Sequence, residues 1–190
     1  MTSPSNPLIV YPAPHSSSAV QGIDVSVDRN HRPGALRFQY VLRADISQLA
    51  IPPTRASGRA DSLWKHTCFE AFITSAGATG SGYYELNFSP SRQWAIYRFS
   101  GYREGMTATE VRSPPELVVR RFDDRLELDA EIELAELADL PALRAGGALK
   151  LALSAVVEDG GGTLSYWALK HPPGKPDFHH ADGFVLELLA

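Results

Sequence analysis

Leu126-Glu127-Leu128-Asp129-Ala130-Glu131-Ile132-Glu133 alternates an apolar residue with an acidic one over eight positions. Only an extended chain sends successive side chains to opposite faces, so this stretch predicts a strand with one buried and one wet face. The pattern recurs. Leu36, Phe38, Tyr40 and Leu42 alternate with Arg37, Gln39, Val41 and Arg43. Leu149, Leu151, Leu153, Ala155 and Val157 alternate with Lys150, Ala152, Ser154 and Val156. Shorter runs of the same kind fall at 19–27, 67–74, 82–89, 94–100, 116–122, 164–169 and 184–189.

Turn-forming residues separate these runs. Arg32-Pro33-Gly34, Ser113-Pro114-Pro115, Asp123-Asp124 and Gly160-Gly161-Gly162 each sit between two alternating segments, where hairpin loops belong. Leu134 to Ala145 is the one helical piece, rich in Ala and Leu but interrupted by Pro141, and reads as short turns crossing between sheets. About ten strands with almost no helix predict an all-β fold, an antiparallel β-sandwich or jelly roll.

Composition sets the outer limits. The chain has 190 residues, enough for one domain, with 44% hydrophobic and 21% charged residues, which excludes disorder as its main state. No apolar run approaches the roughly 18 residues a membrane helix needs. Eighteen Lys and Arg against 22 Asp and Glu give a charge of -4, the wrong sign for general nucleic-acid binding. Cys68 is the only cysteine, so no internal disulfide can form. The first basic residue is Arg29 and no long apolar run precedes it, so no export signal is read and a cytoplasmic location is expected. Residues 1–18 hold five Ser and four Pro and are expected to be a flexible lead-in, with Leu8 to Tyr11 as an edge strand at most. The domain is expected to span 19–190.

Candidate function concentrates in Leu63-Trp64-Lys65-His66-Thr67-Cys68-Phe69-Glu70-Ala71-Phe72-Ile73. As one unbroken strand it would place Phe69, Ala71 and Ile73 on one face and Trp64, His66, Cys68, Glu70 and Phe72 on the other. Tyr83, Glu85 and Asn87 likewise separate from Tyr84, Leu86 and Phe88. A hairpin through the Gly-rich loop at 77–82 would set Glu70, Glu85 and Asn87 side by side, with aromatic rings at the rim. That combination suits carbohydrate. Sugar C–H faces pack on aromatic rings, and sugar hydroxyls seek carboxylates and amides. The competing structural reading is a solvated sheet face with one Trp tucked under a loop.

Leu63-Trp64 followed after five residues by Glu70-Ala71-Phe72-Ile73 resembles the signature of family 9 carbohydrate-binding modules and DOMON-like domains. Tyr84 to Pro90 is similar to their next strand. Tyr166-Trp167-Ala168-Leu169 with Pro176-Asp177-Phe178-His179 resembles their last aromatic loop. The resemblance implies a sandwich whose sugar-binding members clamp a terminal sugar between two Trp rings. Carried over by position, the clamp is Trp64 and Trp167. The polar contacts carried over are Glu70 and Asn87, and the reading of the strands adds Glu85 to them, with Lys170 or His179 expected at the rim. Lys65-His66-Thr67 departs from the pattern, because those members carry an acidic residue soon after the first Trp.

The expected function is therefore non-catalytic binding of a small carbohydrate or cell-wall-derived sugar, with no cofactor. Alternatives remain open. The same groove could receive a protein partner, and Glu70 with Glu85 could form a glycosidase pair. Heme, used elsewhere among DOMON-like domains, would need Met106 and a C-terminal His. His66, His171, His179 and His180 lack any zinc spacing, so no metal site is expected. Cys68 beside His66 has no third orienting group, so no catalytic residue is assigned. Arg112, Arg120, Arg121 and Arg125 read as a solvated strand surface offset by Asp123 and Asp124.

Overall fold

The computed structural model of the chain describes residues 4–12, 19–29, 31–77, 82–145 and 147–189. The strands are β1 (Ser5–Val10), β2 (Val20–Asp28), β3 (Ala35–Ala44), β4 (Gly58–Arg59), β5 (Cys68–Ser75), β6 (Tyr83–Phe88) and β7 (Gln93–Phe99). They continue with β8 (Thr107–Ala108), β9 (Glu116–Arg121), β10 (Arg125–Glu133), β11 (Leu149–Glu158), β12 (Leu164–Ala168) and β13 (Leu186–Leu188). The one α-helix among the described residues, α1 (Pro141–Ala145), starts on a proline, whose fixed φ and missing N–H suit the first helical position. With the 3-10 turn Leu134–Leu137 it connects β10 to β11. The fold is all-β.

The strands hydrogen-bond in the order β4-β7-β6-β5-β11-β12-β1-β2-β3-β10-β9, with β13 beside β11 and β8 beside β7. Among the described residues all strand pairings are antiparallel except β4 with β7. The sheet is mostly antiparallel and curls, so that side chains from its two halves meet. Phe38 of β3 packs on Phe88 of β6 at 5.7 Å between ring centroids, and Tyr40 of β3 packs on Phe69 of β5 at 4.9 Å.

The alternating strands behave as their sequences dictate. Leu126, Leu128, Ala130 and Ile132 of β10 enter the core. Their acidic neighbours pair with arginines on the wet face: Glu127 with Arg120 and Arg125, Asp129 with Arg37 and Arg120, Glu131 with Arg32. Of the arginines expected on a solvated surface, Arg120 and Arg125 join this ladder, Arg125 also pairs with Asp124, and Arg121 donates to the Pro52 carbonyl.

β1 corrects the expectation of a loose lead-in. Ser5 to Leu8 pair with β2, while Ile9 and Val10 pair with β12, so this strand hands the sheet from one half to the other. Pro7 lies in the portion paired on one side only, where its missing N–H costs no ladder bond. Leu8 is buried in the main core. Residues 1–3 and 13–18 of the expected lead-in lie outside the described residues.

β5 and β6 are buried on both faces. Phe69, Ala71, Ile73, Tyr84, Leu86 and Phe88 join the main core. Phe72 and Tyr83 join a second cluster on the opposite face with Ala95, Tyr97, Phe99 and Ala152. Leu63, Trp64, Phe178 and Phe184 roof that second cluster. The turn joining β5 to β6 depends on Gly82, whose φ is +67° and where a Cβ would collide with the Phe99 carbonyl.

Candidate functional site

The outer face of β5, β6, β7 and β11 forms the floor of a cleft of about 500 Å³. Pairing sets its members in register. Glu70 lies opposite both Asn87 and Ser154, and Glu85 lies opposite Phe72 and Tyr97. Trp64 and Lys65 come from the 3-10 turn Leu63–Lys65, Phe99 from β7, and Arg103 and Met106 from the loop that follows. Tyr166 comes from β12, and Pro176, Phe178 and His179 from the segment before β13.

Trp64 does not continue β5 as an unbroken strand would require. Ser62 takes a left-handed conformation (φ +60°) and starts the 3-10 turn, which folds Trp64 over the sheet. Its ring meets Tyr97 edge-on at 5.8 Å. Tyr97 in turn donates its hydroxyl hydrogen to Asp61 at 2.6 Å, and Asp61 pairs with Arg59 at 2.7 Å. His66 also leaves the expected face. It is exposed and contacts Glu158 at 2.7 Å.

Two carboxyl groups occupy the floor. Glu85 accepts a hydrogen bond from Asn87 Nδ2 at 2.7 Å through Oε1, and its Oε2 lies 3.7 Å from His179 Nε2. Glu70 is only 3% exposed. Its Oε2 accepts a long bond from Ser154 Oγ at 3.4 Å, and its Oε1 has no hydrogen-bond partner among the described residues. Burial, reinforced by the Glu85 charge, pushes the Glu70 carboxyl well above the ordinary carboxylate range. Burial also raises Glu85, opposed by its bond from Asn87 and the positive charge of Arg103.

His179 sits among rings, 5.0 Å from Phe72 and 5.1 Å from Phe99. Burial and the nearby Arg103 charge depress its pKa to about 4, so it is neutral at neutral pH. The 3.7 Å approach to Glu85 is therefore a contact with an uncharged imidazole, not an ion pair. Tyr83 Oη accepts the Arg103 main-chain N–H at 3.2 Å and lies 2.7 Å from His179 Nδ1. If Tyr83 donates to Nδ1, the remaining imidazole hydrogen sits on Nε2, toward Glu85.

The segment before β13 is tied down by Asp177. Arg103 pairs with it at 2.7 Å, Tyr102 donates to it, and it accepts the His179 main-chain N–H at 3.1 Å. Burial alone would raise Asp177, but the bonds from Tyr102 and Arg103 outweigh it and hold this carboxyl below its ordinary value.

The structure thus gathers Trp64, Glu70, Glu85 and His179 around one cleft. It does not bring the other expected residues there. Trp167 is a core residue, 7% exposed. It lies opposite Ala155 on one side and Val10 on the other, and its indole N–H donates to Ser165 Oγ at 3.0 Å. This overturns the Trp64–Trp167 clamp. Its neighbour Tyr166, opposite Val156, is the ring that lines the cleft, 6.1 Å from Phe178. Asn87 is fully buried and acts through Glu85, and its Oδ1 accepts from the Cys68 thiol at 3.6 Å. Lys170 is exposed and outside the lining. Tyr166, Phe99 and Arg103 were not expected. The parity of β11, whose Ala155 belongs to the core face, was the signal available for Tyr166.

Among the described residues no three His, Cys, Asp or Glu side chains group as metal ligands. No helix among these residues is long and apolar enough to cross a membrane.

No protein-family model matches the chain, and no curated protein matches it. Solved structures do. A candidate carbohydrate-binding protein from Bacteroides uniformis superposes with a TM-score of 0.68 at 14% identity, covering 96% of this chain and 84% of that one. A family 9 carbohydrate-binding module from Caldicellulosiruptor kristjanssonii, solved with cellotriose, superposes with a TM-score of 0.52 at 11% identity, covering 90% and 75%. The fold is thus similar to that of family 9 carbohydrate-binding modules, as the sequence resemblance implied.

Proposed function

We propose that the chain is a carbohydrate-binding module whose two facing sheet halves act as the layers of a sandwich. The cleft over β5, β6 and β7 holds a small sugar without altering it. The observation that carries this reading is Trp64 folded over a floor bearing Glu70 and Glu85, in a cleft also lined by Tyr166 and Phe178. Aromatic surface gives a sugar ring's C–H face a partner, and the carboxyl oxygens accept from its hydroxyls. A volume of about 500 Å³ lies within the usual range for small-ligand sites. The fold likeness to a module solved with cellotriose supports the reading. Few ligand atoms would be engaged, so dissociation constants of roughly micromolar to millimolar are expected.

The test is a titration of tryptophan fluorescence against a panel of mono- and disaccharides, repeated with Trp64→Ala. Binding that shifts the spectrum and is lost in the variant supports the proposal. No response across the panel at about 50 mM, far above the expected range, overturns it.

A further inference from the structure

Among the described residues no cation forms an ion pair with either carboxyl group on the floor, and Arg103 reaches both only through its field. At ion-pair distance the described residues bring only neutral His179 to Glu85 and nothing to Glu70. Arg103 is engaged by Asp177. Lys65 stands on the exposed rim. Glu70 is 97% buried on its 3% exposure, lines the cleft, and has one carboxyl oxygen without a partner.

Resting on the carbohydrate reading above, we propose that this floor receives a primary ammonium group, so that the ligand is a sugar carrying a free amine. Donor number and charge both favour it. A hydroxyl supplies one hydrogen and no charge, whereas an ammonium supplies three donors and a full positive charge. Two buried carboxyls set diagonally on neighbouring strands of one floor resist ionising together, and one hydroxyl cannot relieve that repulsion. A cation between them makes both ionised forms favourable and turns neutral contacts into stronger charge-assisted bonds. The carboxyl torsion of Glu is soft, so Glu70 can turn either oxygen to the ligand. A divalent metal is the weaker occupant. Among the described residues Glu70, Glu85 and the nearby His179 do not group as three metal ligands, and two carboxyls fall short of the roughly 6–8 oxygens calcium takes.

The other groups facing the floor do not compete for the proton change. Burial holds the Tyr83 hydroxyl and the Cys68 thiol above their ordinary values, and both stay neutral. His179 is already neutral, and Arg103 stays charged beside Asp177. An incoming ammonium therefore displaces a proton from the carboxyl pair, and that proton leaves to the buffer.

The experiment is calorimetric titration of the intact chain at about pH 6.5, below the roughly 7.7–8.0 of an ordinary α-amino group. Glucosamine, galactosamine and mannosamine are compared with glucose, galactose, mannose and the N-acetylated forms. Each is run in two buffers of different ionisation enthalpy. At least one amino sugar should bind about tenfold or more tighter than its parent hexose and its N-acetyl form, a difference of about 1.4 kcal/mol. Its apparent enthalpy should depend on the buffer, reporting proton release. Glu70→Gln and Glu85→Gln should each shrink that preference, and thermal melts will show whether both variants fold. Hexoses binding as tightly as amino sugars would overturn the ammonium inference and leave the carbohydrate reading standing. No binding by any sugar would remove both.

Discussion

Tyr40 of β3 donates its hydroxyl hydrogen to the main-chain carbonyl of Glu70 at 2.8 Å, across the core from the cleft. The residue whose side chain forms the cleft floor is thus fixed from behind by the opposite half of the sheet. Tyr40 is fully buried and packs on Phe69, so Tyr40→Phe keeps the ring and removes only the hydroxyl. The loss should be about 1–2 kcal/mol, the usual cost of one buried hydrogen bond. For a chain of this size that is a fall in Tm of roughly 2–8 °C, readable by calorimetry.

Trp64 and Trp167 should separate cleanly on mutation. Trp167 fills the main core, so Trp167→Ala should cost about 3–5 kcal/mol through lost burial and a cavity. Trp64 is only half-buried over the second cluster. Trp64→Ala should cost no more than about 1–2 kcal/mol, yet abolish sugar-dependent fluorescence change. Urea unfolding of both variants beside ligand titration checks the contrast. Equal destabilisation by the two would contradict the placement of Trp167 in the core.

That contrast also marks how far the sequence could be read. The strands of β3, β10 and β11 were legible because one face is wet and the other dry, so period two is written in residue type. The polar face of Glu70, Glu85 and Asn87 was legible for the same reason, as polar residues interrupting an otherwise apolar pair of strands. Tyr166 and Trp167 were not separable by type, since both are large aromatics and only parity decides which points outward. Adding or removing one residue of register exchanges them. β1 was masked by its Ser and Pro content, and its double pairing is a long-range fact. Arg103 reaches the cleft from a loop, where no period operates. Its ion pair with Asp177 spans segments far apart in sequence.

Glu70 gives a pH signature with a definite sign. Its folded-state pKa is raised, so the folded chain keeps a proton that the unfolded chain releases above about pH 4.5. Stability from this group is fully present below that value and declines as pH rises through the raised folded pKa. Glu70→Gln removes the titration. The stability of Glu70→Gln relative to the parent should therefore climb as pH rises above about 4.5. Urea unfolding at several pH values measures the difference, and a flat difference would contradict the buried, poorly paired carboxyl.

His179 acts in the opposite direction. Its folded pKa of about 4 lies below the ordinary 6.5, so the unfolded chain takes up a proton the folded chain refuses. Its contribution is constant above about pH 6.5 and is lost as pH falls toward 4. Replacing His179 with Gln should flatten this part of the profile, by about 3 kcal/mol between the two limits. Unchanged acid sensitivity in the variant would place the protonation elsewhere.

Asp177 is the anchor that keeps the segment carrying Phe178 and His179 over the floor. It receives Arg103, Tyr102 and the His179 main-chain N–H, which explains why a carboxyl in a partly buried loop stays ionised. Asp177→Asn keeps the shape and an acceptor oxygen but removes the charge that holds Arg103. The strands should remain intact, because none of these bonds belongs to the sheet. The segment from Lys170 to Gly183 should open more often, as a loop held by side chains rather than ladder bonds does. Hydrogen exchange should then quicken in that segment by about tenfold or less while β5 and β6 keep their protection, and sugar affinity should weaken in step. Exchange that rises equally across the whole sheet would mean that Asp177 supports the fold and not the cleft.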